Sequence, residues 1–450
     1  MAADRALAHP LPALSNRSFR PTLARLRPGL WGMACLGLLL GVLGIYLAIG
    51  WATPGDQADM ENGKIWIRWL TRNGVQDAYR MAMDYPPVPL YLFALAGTTY
   101  QALVDPTFNE KAALASQTLT LLWKLPGIGF QLLLAALIYV LVRPHGPRVA
   151  FLAAASYALN PAVAYDVPHL GQTDPVPAAF GVAGAGALVT GWPALAGAAL
   201  ALAALSKPQA WVLLPLGGWI LLRWYGMAGL VRAALTGGVT GLVVLAPWIL
   251  GDRLHHLPRF LGYLSTRSTA NTAISADAHN LWWLPTLARS EWIDDWQPLL
   301  GPVSYRIVGL ALAATWLGLC LVAAGRIRRR EDLYLVAGAL AFGFFMLMVR
   351  AHENHSALAI PLLLLATACD RRRWPFYALA TVGLLLNLAL HDPLLIGAYA
   401  SPPAPGQPYP PLALTGQLLN LGLNLALLAL LARWLLDRAQ DGRPRPDASS

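Results

Sequence analysis

Residues that can do chemistry on a substrate first appear in the polar stretch from Trp51 to Leu90, which interrupts an otherwise apolar sequence. Asp56 and Asp59 come shortly after a hydrophobic run, and the motif DYPP, which begins at Asp84, precedes the next one. A carboxylate at the edge of an apolar segment can act as a general base or can bind a cation. Asp56 also has a purely structural interpretation as a helix N-cap.

A larger set of polar residues lies at the ends of the later apolar runs. Its carboxylates can act as bases or metal ligands, and its lysine and histidines can hold an anionic group such as a phosphate. Lys207 has an equally good interpretation as a side chain that extends to lipid headgroups. His352 and His355 are three residues apart and share a helix face, but the HExxH spacing of zinc proteases is absent there. The full set is Asp56, Asp59, Asp84, Tyr85, His169, Gln172, Asp174, Lys207, Gln209, His279, Asn280, His352, Glu353, His355, His391 and Asp392.

The chain around these residues has too little polar surface for a soluble globule of 450 residues, since 56% of it is hydrophobic and only 12% is charged. Apolar runs near the ~20 residues needed to cross a bilayer recur from Leu30 to Leu436. Because lipid offers no hydrogen-bond partners, such spans must be helical. The sequence therefore predicts an all-α integral membrane protein with about 12–14 transmembrane helices and further helices in its outer loops. Its three cysteines show no paired or metal-like spacing, so neither disulfides nor a zinc site is expected.

The distribution of arginine predicts the orientation of these spans. The net charge is +10, but the basic residues are spread over short loops, so they indicate topology and not nucleic-acid binding. They place the N-terminus in the cytoplasm and the polar set at the outer face of a bacterial cytoplasmic membrane, with an odd number of crossings in 86–142. The predicted regions are a cytoplasmic tail (1–29), a membrane domain (30–436) with outer loops at 51–86 and 251–302, and a disordered cytoplasmic tail (437–450).

Several motifs, taken in their shared order, resemble the GT-C superfamily of polytopic glycosyltransferases. The likeness is to the branch that contains bacterial relatives of GPI mannosyltransferase II and of the dolichol-linked-oligosaccharide glucosyltransferases. In that branch the first outer loop carries an Asp, a Trp seven residues later, a Gly that ends the following helix, and then DYPP. Asp59, Trp66, Gly74 and Asp84 match this order.

Later motifs extend the resemblance as far as Glu353. The chain departs from the family pattern at Leu170, where a Trp is usual before Gly-Gln, and at Asn354, where an aromatic residue or Arg is usual. The matching segments are YxxNP from Tyr157, GQxD from Gly171, K-x-Q from Lys207, an Ala-x-Asn before Trp within SADAHNLWWL, and HE from His352.

The resemblance implies a GT-C-like fold and inverting transfer of a hexose, with mannose the leading candidate, from a polyprenyl-phosphate carrier to a lipid-linked or cell-envelope glycan. It implies Asp59 as the general base. Lys207, with His352 or His355, would bind the departing phosphate. The resemblance favours no required cofactor, although Asp59 and Asp174 could share a divalent cation. The expected partners are the polyprenyl-phosphate-linked sugar, the glycan acceptor and membrane lipids, with no nucleic acid. Sugar and acceptor contacts are expected from Asp56, Asp84, Tyr85, His169, Gln172, Asp174, Gln209, Asn280 and Glu353.

Two other functions stay open from the sequence. A transporter or flippase of a lipid-linked saccharide would carry ionisable residues midway through its spans, often with an internal repeat, and neither pattern is evident. An O-antigen ligase or polymerase acting on the same carrier would use Arg and His in a large outer loop, where this chain has Arg259, Arg267 and His279.

Overall fold

The structure is a computed structural model that describes residues 29–81, 83–265, 272–289, 293–392, 395 and 410–440. It is 79% helical, and the four strands of the described residues are at most three residues long. The all-α fold predicted from the sequence is therefore confirmed. The predicted tails fall almost entirely outside the described residues, although the last helix continues to Gln440.

We number the helices of the described residues in chain order. They are α1 Leu30–Ala52, α2 Gln57–Asn73, α3 Pro87–Leu103, α4 Glu110–Ala115, α5 Gln117–Val142, α6 Pro147–Ala158, α7 Pro161–Ala164, α8 Pro175–Thr190, α9 Pro193–Ala204, α10 Leu213–Leu250, α11 Leu257–Ser265, α12 Trp283–Arg289, α13 Tyr305–Ala324, α14 Asp332–Leu347, α15 Ala359–Cys369, α16 Trp374–Ala389 and α17 Pro411–Gln440. A π-helical turn, Tyr165–His169, follows α7. The strands form two small sheets: β1 Ser275–Ala276 pairs in parallel with β4 Ala351–His352, and β2 Pro298–Leu300 pairs antiparallel with β3 Val303–Ser304.

Five helices in the described residues are long and apolar enough to cross a membrane. Fewer than half of the residues in the most apolar window of each are buried, and in Pro208–Leu250 only 11% are. The shorter apolar helices α8, α14 and α15 are packed among the others and fall below the ~20-residue spanning length. The count of about 12–14 spans stays a prediction. The five long segments are Leu30–Ala52, Gln117–His145, Pro208–Leu250, Tyr305–Ala324 and Pro411–Gln440.

α10 consists of two helical segments joined at Gly226. The φ of Gly226 is 65°, in the left-handed region that favours glycine. The sequence predicts two apolar runs here with a basic loop between them, and the kink falls at that loop. Arg223 Nη2 donates to the backbone oxygen of Gly325 at 3.3 Å, and Arg330 Nη1 donates to the hydroxyl of Tyr225 at 3.1 Å. The kink therefore lies beside the basic loop between α13 and α14.

The basic loops lie at one end of the helices, away from the polar site residues. A ring nitrogen of His145 lies 3.6 Å from the sulfur of Cys369, which brings the loop between α5 and α6 beside the loop between α15 and α16. The helical segment that contains Arg223 and reaches the kink at Gly226 begins just after Lys207. Lys207 and the basic kink are therefore at opposite ends of the same segment.

A buried lysine connects the segments that lead into the site. Lys124 lies in α5 and is 1% exposed. Its Nζ donates to the backbone oxygen of Thr53 at 2.8 Å and to the Thr53 hydroxyl at 2.9 Å, and it also contacts the backbone oxygens of His169 at 3.1 Å and Gly50 at 3.3 Å. A buried ammonium group is stable only when such oxygens replace its water shell. Lys124 therefore fixes the end of α1 against the end of the π-helical turn.

The neighbouring Trp123 positions α2 and the loop before α8. Its indole Nε1 donates to the backbone oxygen of Gly171 at 2.9 Å, and its ring stacks on Phe93 with centroids 4.3 Å apart. α2 crosses the same ring at Gly63, where a Cβ atom would lie 2.5 Å from the indole. Because a side chain at position 63 would push the two helices apart, the glycine sets the position of α2, and with it the position of Asp59.

We expect Lys124→Met to destabilise the protein, because methionine fills the space but leaves buried oxygens without a donor. An unpaired buried acceptor costs about 1–3 kcal/mol, so the thermal unfolding temperature of the detergent-solubilised protein should fall by several degrees. Lys111→Met, at an exposed position in α4, is the control and should leave that temperature unchanged. Equal unfolding temperatures for Lys124→Met and wild type would contradict a stabilising role for Lys124.

Candidate functional site

Side chains from five segments of the chain come together at the end of the helices away from the basic loops. They form a hydrogen-bonded and electrostatically coupled group that we call the central polar cluster. The cluster runs from the protein surface into the interior. In order of increasing burial it comprises the exposed Asp59 and Asp84, the half-buried His352 and Glu353, and the buried Gln172, Asp174 and Lys207.

A buried ion pair forms the inner part of the cluster. Lys207 Nζ lies 2.9 Å from Asp174 Oδ2, and the two side chains are 9% and 7% exposed. Asn354 Nδ2 donates to the same oxygen at 2.9 Å. Burial opposes the charged form of Lys207, but the neighbouring Asp174 and Tyr85 outweigh it and raise the pKa of Lys207 above its ordinary value. Lys207 is therefore a permanent positive charge inside the site.

Asp59 lies in the first turn of α2. Asp56 caps this helix, since its Oδ1 accepts from the backbone N–H of Asp59 at 2.9 Å. Gln172 Nε2 donates to Asp59 Oδ2 at 2.6 Å and fixes the orientation of the carboxylate. Although the residue is exposed, the protein atoms around its carboxylate desolvate it, and this effect together with Asp56 raises the pKa of Asp59; Gln172 and Lys207 oppose the shift. An ionised Asp59 is thus a stronger base than an ordinary aspartate.

The DYPP motif adds a carboxylate and an aromatic ring beside Asp59. Desolvation and the charge of Asp59 raise the pKa of the Asp84 carboxyl. Tyr85 packs edge-on against Trp66 with ring centroids 5.9 Å apart, and its ring centroid is 6.0 Å from Lys207 Nζ. Trp66 and Tyr85 stand apart in the sequence motif, and the fold brings them into contact beside the ion pair.

The loop between α14 and α15 contributes His352, Glu353 and His355. The backbone N–H of His352 donates to Nδ1 of His355 at 3.2 Å, which leaves Nε2 of a neutral His355 ring as an N–H donor. Burial, followed by the charge of Lys207, lowers the pKa of His352, and burial with His352 lowers that of His355 well below its usual range. Both imidazoles are neutral near pH 7, so they can serve an anion as hydrogen-bond donors and not as charges.

Glu353 faces other carboxylates. Burial, followed by the charge of Asp277, raises the pKa of Glu353 to about 8. At neutral pH Glu353 therefore carries a proton and can both donate and accept a hydrogen bond.

Three residues predicted to bind sugar lie outside these contacts. His169 Nε2 is 2.8 Å from Asp392 Oδ2, which also accepts from the hydroxyl of Tyr165. Asn280 is fully buried; its amide donates to a backbone oxygen of α14 at 3.1 Å and accepts from the backbone N–H of Trp282 at 3.0 Å. Gln209 is half-buried, and its Oε1 has no hydrogen-bond partner in the described residues. Sugar-binding roles for His169, Asn280 and Gln209 stay predictions.

The sequence did not predict a site role for three residues that the fold brings to this site. Asn354 supports the ion pair through Asp174, and Asp277 is bridged to His352 and acts through its charge on Glu353. Asp166, in the π-helical turn, is 1% exposed, and its Oδ1 has no hydrogen-bond partner among the described residues. Desolvation and the charge of Asp174 raise the pKa of Asp166 well above its usual range. Its position directly after an apolar segment is a feature by which Asp166 could have been selected.

The described residues contain no group of three or more His, Cys, Asp or Glu side chains placed to hold a metal ion. Asp174 Oδ2 already accepts from Lys207 and Asn354. A divalent cation shared by Asp59 and Asp174 stays a prediction.

Comparison with known proteins adds no family assignment. No family model matches the chain, and a search of curated proteins finds no similar sequence. The resemblance to GT-C glycosyltransferases therefore depends on the motifs quoted from the sequence, and any function must be argued from the site itself.

The contribution of Glu353 to stability should fall as the pH rises. Its pKa is about 8 in the folded protein and 4.5 in the unfolded chain, so the folded protein keeps a proton that the unfolded protein releases. This contribution is complete below the unfolded pKa and is lost as the pH rises through the folded pKa. Glu353→Gln mimics the protonated side chain, so its thermal unfolding temperature should exceed that of wild type by a margin that grows from pH about 5 to about 9.

Glu61→Gln makes the same chemical change at an exposed position in α2 and is the control. The difference between its unfolding temperature and that of wild type should not change over the same pH range. A margin between Glu353→Gln and wild type that is independent of pH would contradict the raised pKa of Glu353.

Proposed function

We propose that the protein is an inverting membrane glycosyltransferase that moves a hexose, with mannose the leading candidate, from a polyprenyl-phosphate donor to a lipid-linked or cell-envelope glycan. The observation that carries the proposal is the central polar cluster, in which a carboxylate open to solvent and a buried ammonium are each held by a neighbour. Gln172 holds Asp59 at 2.6 Å, and Asp174 holds Lys207 at 2.9 Å. Such a pair can remove a proton from a nucleophile and stabilise an anionic leaving group.

In the proposed reaction, the oxygen of an acceptor hydroxyl attacks the anomeric carbon of the hexose while Asp59 takes the hydroxyl proton. The bond between the anomeric carbon and the phosphate oxygen breaks, and its electron pair leaves with the lipid phosphate. The anomeric configuration inverts because the nucleophile enters on the side opposite to the leaving group. The raised pKa of Asp59 favours this role, since it increases the basicity of the ionised carboxylate.

The leaving phosphate gains negative charge, and Lys207 would offset that charge. Lys207 is suited to this role because Asp174 keeps it protonated although it is buried. The neutral rings of His352 and His355 would add N–H donors to the phosphate oxygens. A positioned, partly desolvated cation stabilises a developing anion more strongly than a solvated one.

The proposal includes about 12–14 membrane crossings and a site at the outer face of the bacterial cytoplasmic membrane. The five long apolar helices support a membrane location. The arginine-rich loops at the end opposite Lys207 support the outward orientation, because basic loops stay on the cytoplasmic side.

Asp59→Asn tests the assignment of the base. Asparagine keeps an oxygen for Gln172 but cannot take the proton, so transfer from polyprenyl-phosphomannose in proteoliposomes should fall by about 10²–10⁴-fold with no change in unfolding temperature. Glu61→Gln, an exposed acid-to-amide change in the same helix, is the control and should keep full transfer. Near-normal turnover by Asp59→Asn would exclude Asp59 as the base.

The reaction products separate this proposal from the two alternatives. Release of free polyprenyl phosphate together with an extended glycan supports glycosyl transfer. Release of a polyprenyl diphosphate indicates an O-antigen ligase or polymerase. Movement of the intact donor between the two leaflets without cleavage indicates a transporter.

A further inference from the structure

We infer that Asp277 is a specificity-determining residue whose carboxylate accepts hydrogen bonds from hydroxyl groups of the donor hexose. This inference rests on the proposed glycosyl transfer and adds a recognition site for the sugar to it. Asp277 lies in the loop before α12, far in sequence from the other members of the central polar cluster.

The small sheet brings Asp277 to the cluster. β1 ends at Ala276, which pairs with His352 of β4, and Asp277 itself forms a backbone bridge to His352. The charge of Asp277 contributes to the raised pKa of Glu353 and opposes the lowering of the pKa of His352. Asp277 is therefore a close neighbour of the loop that carries His352 and His355, whose rings would donate hydrogen bonds to the phosphate.

The backbone of Asp277 is held in an unusual conformation. Its φ of 55° lies in the left-handed region, which costs free energy for a residue with a side chain. Its backbone oxygen accepts from Asn387 Nδ2 at 2.8 Å, and its side chain keeps 30% exposure. The carboxylate is thus accessible to solvent, and its charge acts on Glu353.

A row of polar side chains orients the ring of His391, which lies next to the Asp277 carboxylate. Asn420 Nδ2 donates to Nδ1 of the fully buried His279, so the proton of a neutral His279 ring is on Nε2. That nitrogen is 2.9 Å from Nε2 of His391, and Nδ1 of His391 is 3.5 Å from Asp277 Oδ1. In this arrangement a neutral His391 carries its proton on the nitrogen that faces Asp277. The row thus fixes the ring of His391 beside one oxygen of Asp277, and the carboxylate oxygens of Asp277 can accept further hydrogen bonds.

Asp277 and Glu353 together present complementary groups to a sugar. A protonated Glu353 offers a donor and an acceptor, and the carboxylate oxygens of Asp277 offer acceptors. Adjacent hydroxyl groups of a hexose can satisfy both side chains at once. We assign the donor hexose and not the acceptor, because Asp277 is bridged to His352, which with Lys207 would hold the phosphate, and the charge of Lys207 also acts on His352.

The test measures binding of polyprenyl-phosphomannose and of its monodeoxy analogues to the full-length protein in nanodiscs. Wild type should bind the parent donor about ten-fold to a hundred-fold more tightly than at least one deoxy analogue. Asp277→Asn and Asp277→Gly should lose most of this discrimination, because the charged acceptor is gone. Both replacements accept a positive φ, so they should keep the unfolding temperature and the fold.

Asp252→Asn is the matched control, because Asp252 is an exposed aspartate whose φ of 52° is also positive. It should keep the wild-type discrimination between the parent donor and its analogues. Discrimination that survives in both Asp277 variants would overturn the inference while leaving glycosyl transfer intact. If wild type neither binds nor cleaves the parent donor, the proposed function fails, and the inference fails with it.

Discussion

The ion pair between Lys207 and Asp174 is the interaction on which the rest of the site depends. Taking both charges out of water is costly, and the cost is offset only when each charge has its partner in good geometry. Asp174 precedes α8, Lys207 lies between α9 and α10, and Asn354, which donates to the same carboxylate oxygen, comes from the loop before α15. Folding must therefore bring three distant segments together before these charges can be buried, and the same step assembles the inner part of the cluster.

The outer part of the cluster depends on a second buried cation. Lys124 and Trp123, adjacent in α5, hold the segment from His169 to Gly171 through its backbone oxygens. That segment presents Gln172 to Asp59, and the contact between Gly63 and Trp123 brings α2 into range. In the outer half Asp59, which would act on a substrate, is exposed and the groups that position it are buried, whereas in the inner half Lys207 and Asp174 are both buried.

The central polar cluster contains more carboxyl groups than cations, and this excess changes which of its acids are protonated. Asp59, Asp84, Glu353 and Asp166 all have raised pKa values, whereas Lys207 stays positive. With more carboxyl groups than cations, the cluster holds protons that an isolated carboxylate would release, and some of its acids act as hydrogen-bond donors at neutral pH. A site of this kind suits a substrate that carries both an anion and many hydroxyl groups, because each type of group finds a partner.

The sequence by itself determined the helical architecture and most of the cluster, because apolar run lengths and motif order are local properties. Asp59, Gln172, Asp174, Lys207 and Glu353 could be selected in this way. Only the tertiary structure decided that Asn354, Asp166 and Asp277 lie in or beside the cluster. It also decided that the side-chain amide of Asn280 forms its hydrogen bonds with backbone groups. It also decided that five helices among the described residues are long and apolar enough to cross a membrane. The reason is that pairing of β1 with β4, burial and pKa depend on which distant segments pack together, and local patterns carry no such information.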